Sequence, residues 1–190
     1  YRIFGIALLD EETGTLELKV TIKFGDDPRA MAPVKLGEGL VGYAALHKEV
    51  VLVPDVTKDP RYIAAVPGVR SELVVPLLLK DRCIGVFDLE SPEPDAFNKK
   101  HVKLLTLLAS EAAVAIENAR LYESIRESEA RFEKELRLAQ RVQMALLPQE
   151  LPKRLRGVDV AWHFDPAREL GGDICDFLAP EPNSLVVVLG

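Results

Sequence analysis

Apolar and polar residues alternate strictly over residues 15–24. Leu16, Leu18, Val20, Ile22 and Phe24 fall on one side, and Glu17, Lys19, Thr21 and Lys23 on the other. A period of two is that of a strand with one buried and one wet face. The preceding run, residues 3–9, is more continuously apolar, as a central strand is, and Glu12-Thr13-Gly14 between them reads as a hairpin turn. Two more strands are predicted at about 73–79 and 83–89, joined by the tight polar turn Lys80-Asp81-Arg82. Hairpins of this kind make an antiparallel sheet. Between the hairpins, Gly37-Glu38-Gly39 leads into a short helix over 40–47 and a strand over 50–53. A stretch rich in turn formers follows over 54–70, with Asp55, Asp59-Pro60 and Pro67-Gly68. So long a loop in a compact domain is usually functional. It is expected to cap a small-molecule site lined by Tyr43, Tyr62 and Phe87.

From Asn98 the period becomes helical. Asn98 suits an N-cap, and no proline interrupts the chain before Pro148. Residues 102–116 are apolar (Leu104, Leu105, Leu107, Leu108, Ala112, Ala113, Ile116), as a helix packed on a sheet is. Residues 118–147 differ in kind. A seven-residue frame puts Leu121, Ile125, Ser128, Phe132, Glu135, Ala139, Val142 and Leu146 on one seam, with Glu127–Arg131 and Glu133–Arg137 as i, i+4 pairs outside it. A narrow seam on a charged helix predicts a parallel coiled coil, and hence a homodimer joined through Leu121, Ile125, Phe132, Val142 and Leu146. Pro148 and Pro152 end the helix. A strand over 158–164, a loop over 166–176 and an apolar strand over 185–189 are predicted beyond them.

Composition narrows the classes of function. The 190 residues are 48% apolar, ample for a core, yet no stretch of about 18 uncharged apolar residues occurs to span a membrane. A net charge of −6 argues against nucleic acid as a partner, because phosphate binding needs a basic face. The first residues lack the features of a signal peptide. The two cysteines, Cys83 and Cys175, read as reduced thiols of a cytoplasmic protein. His47 and His101 read as solvent-edge residues, not haem ligands.

Two sets of motifs carry family resemblances. Leu36-Gly37-Glu38-Gly39-Leu40-Val41-Gly42-Tyr43, Val53-Pro54-Asp55-Val56, Asp59-Pro60-Arg61-Tyr62, Ser71-Glu72-Leu73-Val74-Val75-Pro76-Leu77 and Ile84-Gly85-Val86-Phe87-Asp88-Leu89 follow in order, with Phe97 opening the long helix. Together they resemble a GAF domain without its opening helix. Glu90-Ser91 and His101-Val102 depart from the cyclic-nucleotide-binding pattern of that family. The second set is Ala139-Gln140-Arg141-Val142-Gln143-Met144-Ala145-Leu146-Leu147-Pro148, Leu151-Pro152, Gly157, Phe164, Pro166-Ala167 and Gly171-Gly172-Asp173-Ile174-Cys175-Asp176-Phe177. It is similar to the start of the SpoIIE/RsbU-type metal-dependent serine/threonine phosphatases.

The resemblances imply an α+β chain in three parts. Residues 1–117 would be an antiparallel GAF-type sheet flanked by helices, 118–147 a coiled-coil linker, and 148–190 the first strands of a truncated α/β/β/α-sandwich phosphatase domain. The full-length parent would be a cytoplasmic, bacterial GAF-regulated phosphoserine/phosphothreonine phosphatase. Its substrate would be a phosphorylated anti-anti-sigma-type regulator, and two Mn²⁺ or Mg²⁺ ions would activate its water. Asp173 would be a metal ligand, with Asp176 supporting it through a hydrogen bond. The second metal aspartate would follow Gly190, so these 190 residues are expected to be inactive. The alternative is a non-catalytic ligand-sensing and dimerisation module.

Overall fold

A computed structural model describes residues 3–23, 32–149, 160–166, 168–181 and 184–190; Phe24, Leu151, Pro152, Gly157 and Ala167 of the motifs above lie outside them. The chain divides into two compact units, Tyr1–Arg120 and Leu121–Gly190.

The first unit holds β1 (Ile3–Asp10), β2 (Thr15–Lys23), β3 (Val34–Lys35), α1 (Gly39–His47), β4 (Val51–Val53), a 3-10 turn at Val56–Lys58, β5 (Ser71–Leu79), β6 (Arg82–Ser91) and the start of α2 (Lys99–Leu146). Its strands form one sheet in the order β3-β2-β1-β6-β5-β4, antiparallel throughout. One face packs on α1, through Ala7, Leu16, Val74 and Val86 against Leu40, Ala44 and Ala45. The other packs on α2, through Leu73, Val75, Leu77, Ile84, Phe87 and Leu89 against Ala109 and Ala113. The central strands β5 and β6 are therefore covered on both sides, which is why their sequences read as near-continuous apolar runs. Asn98 caps α2 as expected, its Oδ1 accepting from the Lys100 and His101 amides at 2.9 and 3.3 Å.

The alternation in β2 does not put all its apolar residues on one face. A bulge against Ile6/Ala7 shifts the register, so Leu16 and Leu18 pair with Leu9 and Ala7 whereas Val20 and Ile22 pair with Ile6 and Phe4. Leu16 is buried on the α1 face, and Val20 and Ile22 are exposed on the other. One inserted residue reverses the facing of everything beyond it.

Backbones approach closely where glycine permits it. A Cβ on Gly85 of β6 would lie 2.3 Å from the Ala7 carbonyl oxygen of β1. Gly85→Ala must therefore push two central strands apart, and is expected to cost about 1–3 kcal/mol in urea unfolding, as overpacked core sites do.

In the second unit α2 continues unbroken from Leu121 to Leu146, with a Glu133–Arg137 ion pair at 3.7 Å along its surface. This corrects the coiled-coil linker expected over 118–147. The seam residues Leu121, Ile125, Phe132, Val142 and Leu146 all stand exposed, and among the described residues no second helix lies on them. A seven-residue spacing marks an apolar stripe but supplies no partner for it. The phosphatase sandwich is corrected likewise. Residues 160–164, the described part of the strand expected at 158–164, have no regular structure. β7 (Cys175–Leu178) and β8 (Val186–Leu189) pair only with each other, as a two-stranded ribbon, and β8 is exposed along its length. Among the described residues no second layer lies on the ribbon, and four-residue strands offer little apolar area to gather one. Gln143 anchors the Gly-Gly segment, accepting from the Gly171 amide at 3.0 Å and donating to its carbonyl at 2.5 Å.

Candidate functional site

Three carboxylic acids interrupt the apolar runs of the central strands: Glu72 on β5, and Asp88 and Glu90 on β6. They are 3%, 7% and 4% exposed. Glu72 lies directly opposite Glu90, and Asp88 opposite Val74, so all three project from the α1 face. One oxygen from each meets the others within 4.8 Å. Gly5 of β1 sits beside Asp88, and the Oδ1 of Asp88 has no hydrogen-bond partner among the described residues. Two full negative charges at that spacing repel by roughly 3 kcal/mol at an effective dielectric of 20, before desolvation is counted. Burial, reinforced by Asp88 and Glu90, pushes the Glu72 carboxyl up to about 10. Burial, with the charge of Glu90, also lifts Asp88 well above the usual carboxylate range.

The loop over residues 54–70 covers this face, and a set of short hydrogen bonds fixes its shape. At its stem the Val56 amide donates to the Arg70 carbonyl at 2.9 Å, and the Arg70 amide donates to the Ser91 carbonyl of β6 at 2.7 Å. Asp55 accepts from the Thr57 hydroxyl at 2.7 Å and pairs with Arg70 at 3.3 Å. Those partners, the Thr57 hydroxyl foremost, pull its carboxyl down to about 2. Asp59 grips Arg61 through the Nε at 2.9 Å and a terminal nitrogen at 2.7 Å, and the Arg61 guanidinium rests 4.4 Å over the Tyr43 ring of α1. The next residue, Tyr62, is thereby turned toward the three acids. Its phenol is pushed up to about 12 by burial and by the charges of Glu90, Glu72 and Asp88.

Tyr43 and Tyr62 both lie on this covered face. Phe87 belongs to the opposite one, packed among the residues facing α2, with its ring edge-on to Phe4 at 5.4 Å. Asp173 and Asp176 are exposed in the second unit. Asp176 accepts from the adjacent Phe177 amide at 2.8 Å, and among the described residues neither acid joins a group of three or more potential ligands. Sequence reasoning passed over Glu72, Asp88 and Glu90. The signal was present: acids at central-strand positions that burial would otherwise reserve for apolar side chains. Three converging carboxyl groups suit a cation, either an ammonium with its three N–H donors or a hard divalent ion.

A model of the GAF domain family matches residues 2–117. The chain belongs to the GAF domain family. GAF domain-containing protein A of Dictyostelium discoideum is 35% identical over 79 residues, covering 42% of this chain and 50% of that protein. Free methionine-R-sulfoxide reductase of Saccharomyces cerevisiae is 36% identical over 77 residues, covering 40% and 43%. The chain thus spans about half the length of the curated relatives it matches. Among solved structures, free methionine-R-sulfoxide reductase from Neisseria meningitidis, in complex with its substrate, superposes with a TM-score of 0.59 at 31% identity, over 64% of this chain and 71% of that one.

These findings overturn the phosphatase reading. The matched family is the GAF domain, sulfoxide reductases are among the similar enzymes, and among the described residues the acids drawn together are in the sheet and not beside Gly171-Gly172. Serine/threonine phosphatase chemistry on an anti-anti-sigma regulator, with its manganese, has no support in this fold. The family match backs the alternative, a ligand-sensing module, better than the enzyme. No helix among the described residues is long and apolar enough to cross a membrane.

Proposed function

We propose that the GAF domain is a sensor that binds a small ligand bearing an ammonium group, an amino acid of the methionine sulfoxide type, on Glu72, Asp88 and Glu90. The observation that carries this reading is the buried convergence of those three acids beneath a loop that presents Tyr62. An ammonium brings the positive charge and the N–H donors that complement three buried carboxyl groups. Similarity to a reductase solved with its substrate supports a free amino acid as the ligand class.

Binding without reduction is the expected behaviour. Converting a sulfoxide to a thioether consumes two electrons and two protons and releases water, and thiols supply the electrons by closing into a disulfide. The one cysteine of the GAF domain, Cys83, lies five residues from Asp88 along β6, about 17 Å at strand rise. Its thiol is buried, donates to the Gly85 carbonyl at 3.2 Å, and is pushed up by burial, which disfavours the reactive thiolate.

Thermal shift with methionine sulfoxide, methionine and their N-acetyl forms tests the reading. The free amino acids should raise the melting midpoint, by the equivalent of about 2.7 kcal/mol at 100 times Kd, and the acetylated forms should not. Equal responses to both would refute ammonium recognition. A response abolished by EDTA would assign the site to a divalent ion, and thiol-dependent turnover of the sulfoxide would make the domain a reductase.

A further inference from the structure

The three buried acids have a charge problem that a proton held between two of them relieves. Carboxyl oxygens of Glu72 and Asp88 lie within 4.8 Å of each other, and two buried carboxyl groups that close are held together by a proton between them. The elements packed around them bring little compensation. β1 contributes Ile3 and Gly5 to the adjoining rows, neither charged. The loop contributes Tyr62, kept neutral, and Asp59, a further acid that already engages the cation Arg61. Its other cations, Lys58 and Arg70, are both paired with Asp55. Glu90 makes a further interaction of its own.

We propose that the GAF domain takes up its ligand by proton exchange: as the ligand's positive charge enters, the Glu72–Asp88 pair releases its shared proton to solvent, so that occupancy rises with pH. The inference rests on the ammonium reading above and adds to it a regulation of the same site. The exchange balances in charge at the acids, because one ammonium group reaches them for each proton that leaves, and no covalent bond changes except the O–H. The ligand's own N–H groups then donate to the oxygens that had shared the proton and to the Asp88 Oδ1, which has no hydrogen-bond partner among the described residues. The charge at the acids is thus the same in both states, and uptake adds no further uncompensated charge to the buried site. A cell whose pH falls would discharge the ligand with no change in ligand concentration.

Calorimetric titration of methionine sulfoxide into the EDTA-treated full chain, in phosphate and in Tris at one pH, reads the released proton from the difference in heats. About one proton should leave per ligand bound, and the affinity should rise roughly tenfold from pH 6 to pH 7. The ligand-free chain provides a separate readout. Its infrared spectrum at pH 7 should contain a protonated-carboxyl band that is lost in Glu72→Gln and lost from the natural chain on saturation with ligand. Tight binding with no proton release and a flat pH dependence would overturn the exchange and leave the ammonium reading intact. No response to any ammonium compound would overturn both. Absence of the carboxyl band from the empty chain at pH 7 would overturn the exchange whatever binds.

Discussion

Glu72→Gln combined with Asp88→Asn should make the ligand-free domain more stable at neutral pH, by roughly 3 kcal/mol from Glu72 alone. In the unfolded chain Glu72 titrates near its ordinary value of 4.5, whereas burial beside Asp88 and Glu90 holds it at about 10 in the folded domain. Its folded value is raised, so the sign follows directly. Below about pH 4.5 both states hold the proton and nothing is lost. Between about 4.5 and 10 the folded state must keep a proton that the unfolded state releases, and stability falls by up to about 1.4 kcal/mol per pH unit. Above that window the loss levels off. Asp88 moves in the same direction for the same first cause, burial. The paired amides keep shape and hydrogen bonding but carry no titrating proton, so the variant should lose this slope along with its response to ammonium ligands. Urea unfolding at pH 5 and pH 8 measures it. The natural chain should weaken toward pH 8 relative to the variant, and parallel pH profiles for the two would contradict the buried-acid account.

Leu73→Ala, one residue along the same strand, should do the opposite. Leu73 points to the other face, is fully buried, and packs with Phe87 and Leu89 of β6 and the Ala109 and Ala113 side of α2. Truncation removes apolar burial and leaves a cavity that a sheet-and-helix interface closes only in part. The expected cost is about 2–5 kcal/mol, a large share of a small domain's stability. Denaturant unfolding followed by a signal from the first unit reads it. A loss below about 1 kcal/mol would mean that α2 does not seal that face. Adjacent residues 72 and 73 would then shift stability in opposite directions, because a strand sends neighbours to opposite faces.

Much of the GAF domain was legible along the chain. Hairpins at Glu12-Thr13-Gly14 and Lys80-Asp81-Arg82, the Asn98 cap and the apolar first half of α2 are local matters, decided by turn chemistry and period. The capping loop over 54–70 was legible too, since its punctuation by Asp55, Asp59-Pro60 and Pro67-Gly68 is local. Tyr62 lies within that stretch, and Tyr43 lies on the helix that precedes it. Phe87 looked equivalent, but its facing depends on pairing and not on hydrophobicity. The Leu121–Leu146 seam and the Gly-Gly-Asp segment show the converse: the apolar stripe and the glycine turn are local, while among the described residues no second helix lies on the seam and no second layer on the ribbon.

The triad itself was decided by register. Between Leu79↔Arg82 and Leu78↔Cys83 the β5–β6 hairpin runs in one alignment, and a bulge between Leu77 and Leu78 shifts every later pair by one residue. Without that shift Glu72 would face Leu89 across the strands and turn away from Asp88. With it, Glu72 faces Glu90 and the three acids converge. The amino-acid sequence determined which segments become strands and helices, because those preferences act over a few residues. Only the tertiary structure decided that three separated acids share one buried site, because a single inserted residue in the ladder selects the face, and the covering loop and α1 remove the water that would otherwise have kept them ordinary surface carboxylates.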